Sequence, residues 1–137
     1  MEIIVSNYQK KIIVSKKWVR EVAARILKRT GAGGELSIVL VDNKYIRRLN
    51  RKYRHKDCAT DVLSFPQGKG DGSIFQQKIE PSPFLTPPLL GDVVISVERA
   101  KSQAKKYGHS FKDEMAILIE HGILHLLGLS HKEMMRK

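Results

Sequence analysis

Three histidines near the carboxyl end of the chain are spaced so that they can bind one metal ion. The segment from Glu120 to His131 reads EHGILHLLGLSH. On a helix His121 and His125 share one face, because residues four apart are neighbours on the helix surface. Gly128 can adopt the left-handed conformation that turns a chain out of a helix, which lets His131 return to the same ion. This spacing predicts a metal site with three imidazole ligands.

The ligand type narrows the choice of metal and the kind of site. Three neutral imidazoles suit one zinc ion, with nickel or another divalent transition metal as an alternative, and do not suit magnesium or calcium. A structural zinc site normally has a fourth protein ligand, but Cys58, His55 and His109 stand at no telling spacing from the motif. Three protein ligands with a position left for water are typical of catalytic sites.

The residue after the first histidine separates this motif from that of the zinc peptidases. Those enzymes carry a glutamate there as their general base. Here the position is Gly122, and Glu120 lies on the other side of His121. The metal ligands therefore resemble a peptidase site that lacks its proton acceptor, so a zinc peptidase is a less favoured alternative to phosphodiester hydrolysis.

The charge of the chain favours a polyanionic partner. Lysine and arginine number 25 among 137 residues, against 14 aspartates and glutamates, for a net charge of +11 and a pI ≈ 9.9. No stretch reaches the ~18 apolar residues of a membrane span, and the first residues lack the features of a secretory signal. The single cysteine fits a reducing compartment. We therefore expect a soluble, cytoplasmic protein with no membrane partner.

The hydrophobic pattern predicts helices interleaved with short strands that position these groups. Strands are expected at 3–5, 12–14, 36–41, 61–65 and 92–96, and helices from Ser15, over 43–54, from Ser96 to about Tyr107, and over 111–127. Residues 68–88 are expected to form a loop. We predict one α+β (α/β-like) domain over 1–137, a small mixed sheet packed with helices, whose central helix carries the histidine motif.

Two further segments complete a pattern that resembles a known family. Asn50 to Pro66 reads NRKYRHKDCATDVLSFP, and Leu90 to Ser96 reads LGDVVIS. Together with the histidine segment they are similar to the YbeY family of bacterial endoribonucleases. The resemblance implies a metal-dependent, single-strand-specific endoribonuclease that acts in maturation of ribosomal RNA, notably at the small-subunit 3′ end, and in ribosome quality control. Its partners are then single-stranded RNA, ribosomal RNA and the ribosome, and the oligomeric state is left open.

The resemblance also implies which residues form the site. His121, His125 and His131 are then the metal ligands, and Arg54 lies in the active-site cleft as a catalytic residue. An arginine there can form a bidentate contact with a phosphate. The family usually has aspartate before the third histidine, where this chain has Ser130. The alternative function is an RNA- or ribosome-binding assembly factor with a mainly structural metal.

Other residues are expected to support the site. The basic side chains of 43–54 are candidates for contacts with the RNA backbone. Tyr53, Phe65 and Phe75 are candidates for stacking on bases, although the first two are expected in the core. Three polar residues at strand ends are expected to cap helices or brace loops without a catalytic role: Asp61, Ser64 and Asp92.

Overall fold

Eight elements follow one another along the chain in a computed structural model that describes residues 2–31, 34–66 and 89–128. Their order is β1 (Glu2–Asn7), α1 (Lys16–Thr30), β2 (Glu35–Val41), α2 (Asn43–Arg54), β3 (Val62–Pro66), β4 (Leu89–Ser96), α3 (Val97–Tyr107) and α4 (Phe111–Leu126). The predicted loop at 68–88, Phe75, Ser130 and His131 lie outside the described residues. None of the described helices is long and apolar enough to cross a membrane.

Side chains just before the helices determine where the helices begin. Each helix has an N-cap side chain that accepts a hydrogen bond from the backbone N–H three residues later. The caps are Ser15, Asp42, Ser96 and Ser110. The sequence predicts helix starts at these four places, because a short polar side chain preceding an amphipathic stretch is a helix start signal.

The strands form one mixed sheet in the order β1-β2-β4-β3. Strands β1, β2 and β4 are parallel, and β3 pairs antiparallel with β4 at one edge. The predicted strand at 12–14 is wrong. The side chain of Gln9 accepts from the N–H of Ile12 at 3.0 Å and donates to its carbonyl at 2.8 Å, so these backbone groups are satisfied locally.

Helices cover both faces of the sheet. Along β2, Ile38 and Leu40 pack in a core with α1 and α4, while Val39 and Val41 pack in a second core with Ile46 of α2. This near-continuous apolar run is typical of a parallel strand buried on both sides. Helix α4 buries several large side chains in the first core, including Met115, Leu118, Ile119 and Ile123. The predicted α+β class is confirmed, and the central helix α4 carries the first two histidines of the motif.

Candidate active site at the sheet edge

The last turns of α4 carry the first two predicted metal ligands. His121 is partly buried and His125 is exposed, one helical turn apart. Helix α4 ends at Leu126, and Gly128 has the positive φ of 77° expected where the chain turns away. His131 lies beyond the described residues, within which no three His, Cys, Asp or Glu side chains form a metal-binding group. The three-histidine site therefore stays a prediction.

Gly122 brings this part of α4 unusually close to the sheet. A Cβ at this position would lie 2.4 Å from Cγ1 of Val93 and 3.3 Å from Cγ2 of Val62. The backbone of α4 is therefore in contact with β3 and β4 directly beside His121. A glutamate in place of Gly122 has no room, so the geometry that a zinc peptidase needs at this position is blocked by the packing of the helix.

The acidic residue on the other side of His121 is engaged elsewhere. Glu120 forms an ion pair with Arg29 of α1. Its carboxylate thus joins α4 to the neighbouring helix, as expected for a residue that points away from the metal ligands.

Arg54, the last residue of α2, is held at the exposed edge of β3. Its Nη2 donates to the carbonyl oxygen of Ser64 at 2.7 Å, and its guanidinium lies 5.0 Å from the centroid of the Phe65 ring. The N–H of Ser96 donates to the carbonyl of Asp61. Because inward and outward groups alternate along an antiparallel strand, the Ser64 carbonyl points away from β4. Arg54 thus satisfies a backbone group at the open edge of the sheet.

Ser64 connects this arginine to the histidine helix. Its hydroxyl donates to the carbonyl oxygen of Gly122 at 2.9 Å, while its own carbonyl accepts from Arg54. Both contacts end on one residue, so the guanidinium lies within roughly 10 Å of the Gly122 carbonyl, next to His121. Ser64 therefore links the guanidinium of Arg54 to the first histidine turn through two hydrogen bonds.

Sequence reasoning assigned Ser64 no role in the site. One signal was present in the sequence: Ser64 stands between Leu63 and Phe65, which are both buried in the second core. Alternation along a strand then sends the Ser64 side chain to the opposite face, where α4 packs. The sequence does not show which helix packs against that face of the strand.

Two of the other polar candidates, Asp61 and His109, pair with groups close to them in sequence. Asp61 accepts from the backbone N–H of Val62 at 2.8 Å, so it braces the start of β3 as expected. His109 pairs with the buried carboxylate of Glu114. His55 ends α2 in the left-handed conformation with φ of 60°. Asp92, also a candidate brace, is fully buried in β4.

Cys58, Tyr53 and Phe65 each contact residues other than the histidines. Cys58 is exposed, and its carbonyl accepts from the side-chain amide of Asn50 at 3.0 Å. Tyr53 and Phe65 contact each other edge to face, with ring centroids 5.5 Å apart, in the core beneath α2. Phe65 is buried in the core as expected, and Tyr53 is partly buried against it.

The outer face of α2 is strongly cationic. Arg47, Arg48, Arg51 and Lys52 are exposed there together with Arg54. Within the described part of the chain, one of them is paired with a carboxylate: Arg47 Nε donates to Asp57 at 2.9 Å. That hydrogen bond lowers the pKa of Asp57, so the carboxylate is ionised at neutral pH. The remaining positive charge is a surface suited to a polyanion.

Comparisons with known proteins point to one family. The sequence model of the family described as Endoribonuclease YbeY matches residues 4–137. A protein named Endoribonuclease YbeY from Carboxydothermus hydrogenoformans is 44% identical over 132 residues, which cover 94% of this chain and 82% of that protein. One of the same name from a Geobacillus species (strain WCH70) is 50% identical over 104 residues, which cover 74% of this chain and 62% of that protein.

A solved structure shares the fold. The solution structure of a Thermotoga maritima protein superposes with a TM-score of 0.60 at 25% sequence identity. The superposition covers 94% of this chain and 74% of that protein. The fold of this chain is thus similar to that of the Thermotoga maritima protein.

Proposed function

The chain belongs to the YbeY family of endoribonucleases, and from that premise we propose that it cuts single-stranded RNA at the edge of β3. The metal ligands in this proposal are His121, His125 and His131, and the ion is zinc or another divalent transition metal. The finer biological role is maturation of ribosomal RNA, notably at the small-subunit 3′ end, and ribosome quality control in the cytoplasm. One observation carries the proposal: Ser64 accepts a hydrogen bond from Arg54 and donates one to Gly122, the residue next to His121.

The donor set fits such an ion. Two imidazoles project from one helix face, and the third follows a glycine that has turned the chain out of the helix. Nitrogen ligands of this kind suit zinc and its transition-metal neighbours. When bound, the ion supplies Lewis acidity towards a phosphodiester.

Arg54 binds and orients the phosphate in this proposal. Its bond to Ser64 uses one of the five N–H donors of a guanidinium. Contact with the Phe65 ring and the Ser64 carbonyl fixes the plane of the group before substrate arrives. A positive group held in this way stabilises charge that builds up on the phosphoryl oxygens without having to reorganise.

The cationic face of α2 binds the rest of the RNA backbone. Contacts of this kind raise affinity for any sequence and weaken steeply with salt. They also guide a negatively charged strand towards Arg54, which lies at the end of the same helix.

The test compares three full-length proteins on a labelled single-stranded RNA: the wild type, His125→Ala and Arg54→Ala. We expect about one metal ion per wild-type chain, loss of both metal and cleavage in His125→Ala, and an intact metal content in Arg54→Ala. Cleavage by Arg54→Ala should fall by about 100- to 1000-fold, as when one preorganised donor is removed from an active site. Arg47→Ala, on the same helix, is the matched control and should cut at nearly the wild-type rate.

Three other outcomes would contradict this function. Bound metal without cleavage by any of the proteins, on naked RNA or on ribosomes, would favour an assembly factor with a structural metal. Cleavage of casein would favour a peptidase. Chain purified without chelator and containing no metal would contradict the three-histidine site.

A further inference from the structure

Helix α1 exposes a second group of cations, next to the helix that carries the histidines. Its sequence contains six lysines and arginines and one acidic residue, Glu21. Three of the cations, Arg25, Lys28 and Arg29, are exposed in its last two turns, and we call them the α1 cationic surface. Arg29 pairs with Glu120 of α4, whereas neither of the other two pairs with a carboxylate among the described residues.

The ion pair with Glu120 places this surface beside the first metal ligand. Glu120, His121 and Gly122 follow one another on α4, so their positions point in directions about 100° apart around the helix. Gly122 faces β3 and β4, and Glu120 faces α1. His121 therefore points between the sheet edge, where Arg54 is bound, and the last turn of α1.

The charge of this end of α1 suits a phosphate backbone. The carboxyl end of a helix carries about half a negative charge, which by itself repels an anion. Lys28 and Arg25 each add a full positive charge within two turns of that end, and the charge of Arg29 is balanced by Glu120. The sum is positive, so the α1 cationic surface attracts a polyanion as the outer face of α2 does.

We propose that a single strand of RNA runs from α2 past Arg54, crosses the histidine turn and binds the α1 cationic surface with its backbone. Proteins that bind single strands use a cationic track along the backbone, over sites of about four to 16 nucleotides. Contacts on both sides of a phosphate fix its position at the metal ligands better than contacts on one side. The inference rests on the proposed function and extends its RNA-binding surface from α2 to α1.

The experiment compares two double variants that remove the same charge from the same helix. Arg25→Gln/Lys28→Gln removes two cations of the α1 cationic surface, and Lys16→Gln/Lys17→Gln removes two exposed cations from the first turn. Lys17 and Lys28 are about 16 Å apart along the helix axis. All proteins also carry His125→Ala, so that the RNA stays uncut. Binding of fluorescent single-stranded RNA is measured over a range of salt concentrations.

We expect Arg25→Gln/Lys28→Gln to make the slope of log affinity against log salt concentration shallower by about 1.4 for a strand of about 16 nucleotides. Each phosphate contact to a single strand contributes about 0.7 to that slope. The slope of Lys16→Gln/Lys17→Gln should stay close to that of the parent protein, which carries His125→Ala alone. The effect should shrink as the strand is shortened towards about four nucleotides, because a short strand bound at Arg54 and α2 cannot also reach α1. Thermal unfolding verifies that each variant is folded.

Three outcomes would overturn the inference while leaving the proposed function in place. The first is an Arg25→Gln/Lys28→Gln protein with the slope of the parent. The second is an equal change of slope in the two double variants, which would mean that the RNA responds to overall charge. The third is an effect that is the same at every strand length, which would mean that no strand runs from α2 to α1.

Cleavage by proteins that retain His125 separates the inference from the proposed function. Arg25→Gln/Lys28→Gln should cut the long strand with a higher KM and an unchanged kcat, because the contacts it removes are made equally before and during the reaction. A lower kcat with an unchanged KM would contradict a role in binding. A wild type that binds RNA with the expected dependence on length and salt, but cuts none, would overturn the proposed function alone.

Discussion

Arg54 and Arg51 lie one turn apart on α2, yet their surroundings differ. Arg54 donates to a backbone carbonyl on the edge strand and stacks against Phe65. Arg51 is exposed on the outer face of the helix. A fixed guanidinium suits a reacting phosphate, which must be met in one geometry. An exposed guanidinium suits a phosphate backbone whose position along the track matters little.

The same difference separates two regions of the molecule. At the sheet edge, α4 contacts β3 and β4 directly at Gly122. The hydroxyl of Ser64 on β3 donates a hydrogen bond to the carbonyl of Gly122 on α4. On the outer face of α2, the side chains of Arg48, Arg51 and Lys52 are exposed. Changes at the sheet edge should therefore lower the rate of cleavage, and changes on the outer face should lower affinity for RNA.

Gly122→Ala should strongly lower the rate of cleavage, because it disturbs the packing that places His121 and His125. The added Cβ would meet Cγ1 of Val93 at 2.4 Å, so α4 has to move away from the sheet. A displacement of about 1 Å near a reacting group can cost about 100-fold in rate. We expect a single-turnover cleavage rate lower by about this factor, with little change in RNA affinity.

A second substitution tests whether the clash is the cause. Val93→Ala removes the two nearest of the three methyl groups that the new Cβ approaches, so the double variant Gly122→Ala/Val93→Ala should cut faster than Gly122→Ala alone. Ile117→Ala, on an exposed position of the same helix, should leave the rate unchanged. A double variant as slow as Gly122→Ala would show that space beside Val93 is not what the reaction requires.

The local features of the fold were predictable, and the site that they form was only partly so. Helix α2 begins after Asp42 and ends at Arg54 as predicted, because capping depends on neighbours in sequence. The histidine spacing is likewise a property of one segment. The contact between Ser64 and Gly122 joins residues 58 positions apart. The Tyr8–Tyr45 stack also depends on which strands become neighbours, which periodicity alone does not specify.

Ser64→Ala should have an intermediate effect at the sheet edge. It removes the hydroxyl that donates to Gly122 and keeps the backbone carbonyl that holds Arg54. We expect the free energy of unfolding to fall by about 1 kcal/mol. Turnover should fall about tenfold, the factor that corresponds to about 1.4 kcal/mol in the barrier. Kinetics and chemical denaturation measure the two quantities separately.

Two matched variants separate positioning by Ser64 from simple support of the fold. Ser64→Thr retains a hydroxyl and should recover most of the turnover. Ser102→Ala alters an exposed serine on α3 and should change neither quantity. Reduced stability with unchanged turnover in Ser64→Ala would mean that Ser64 only supports the fold.

The smallest effect is expected from Arg51→Gln on the outer face of α2. Removing one phosphate contact to a single strand should make the slope of log affinity against log salt concentration shallower by about 0.7. Arg47→Gln is the control, because Arg47 is on the same helix but already pairs with Asp57. Its slope should stay close to that of the wild type. If both variants change the slope equally, the strand responds to the overall charge of α2 and not to a particular contact with Arg51.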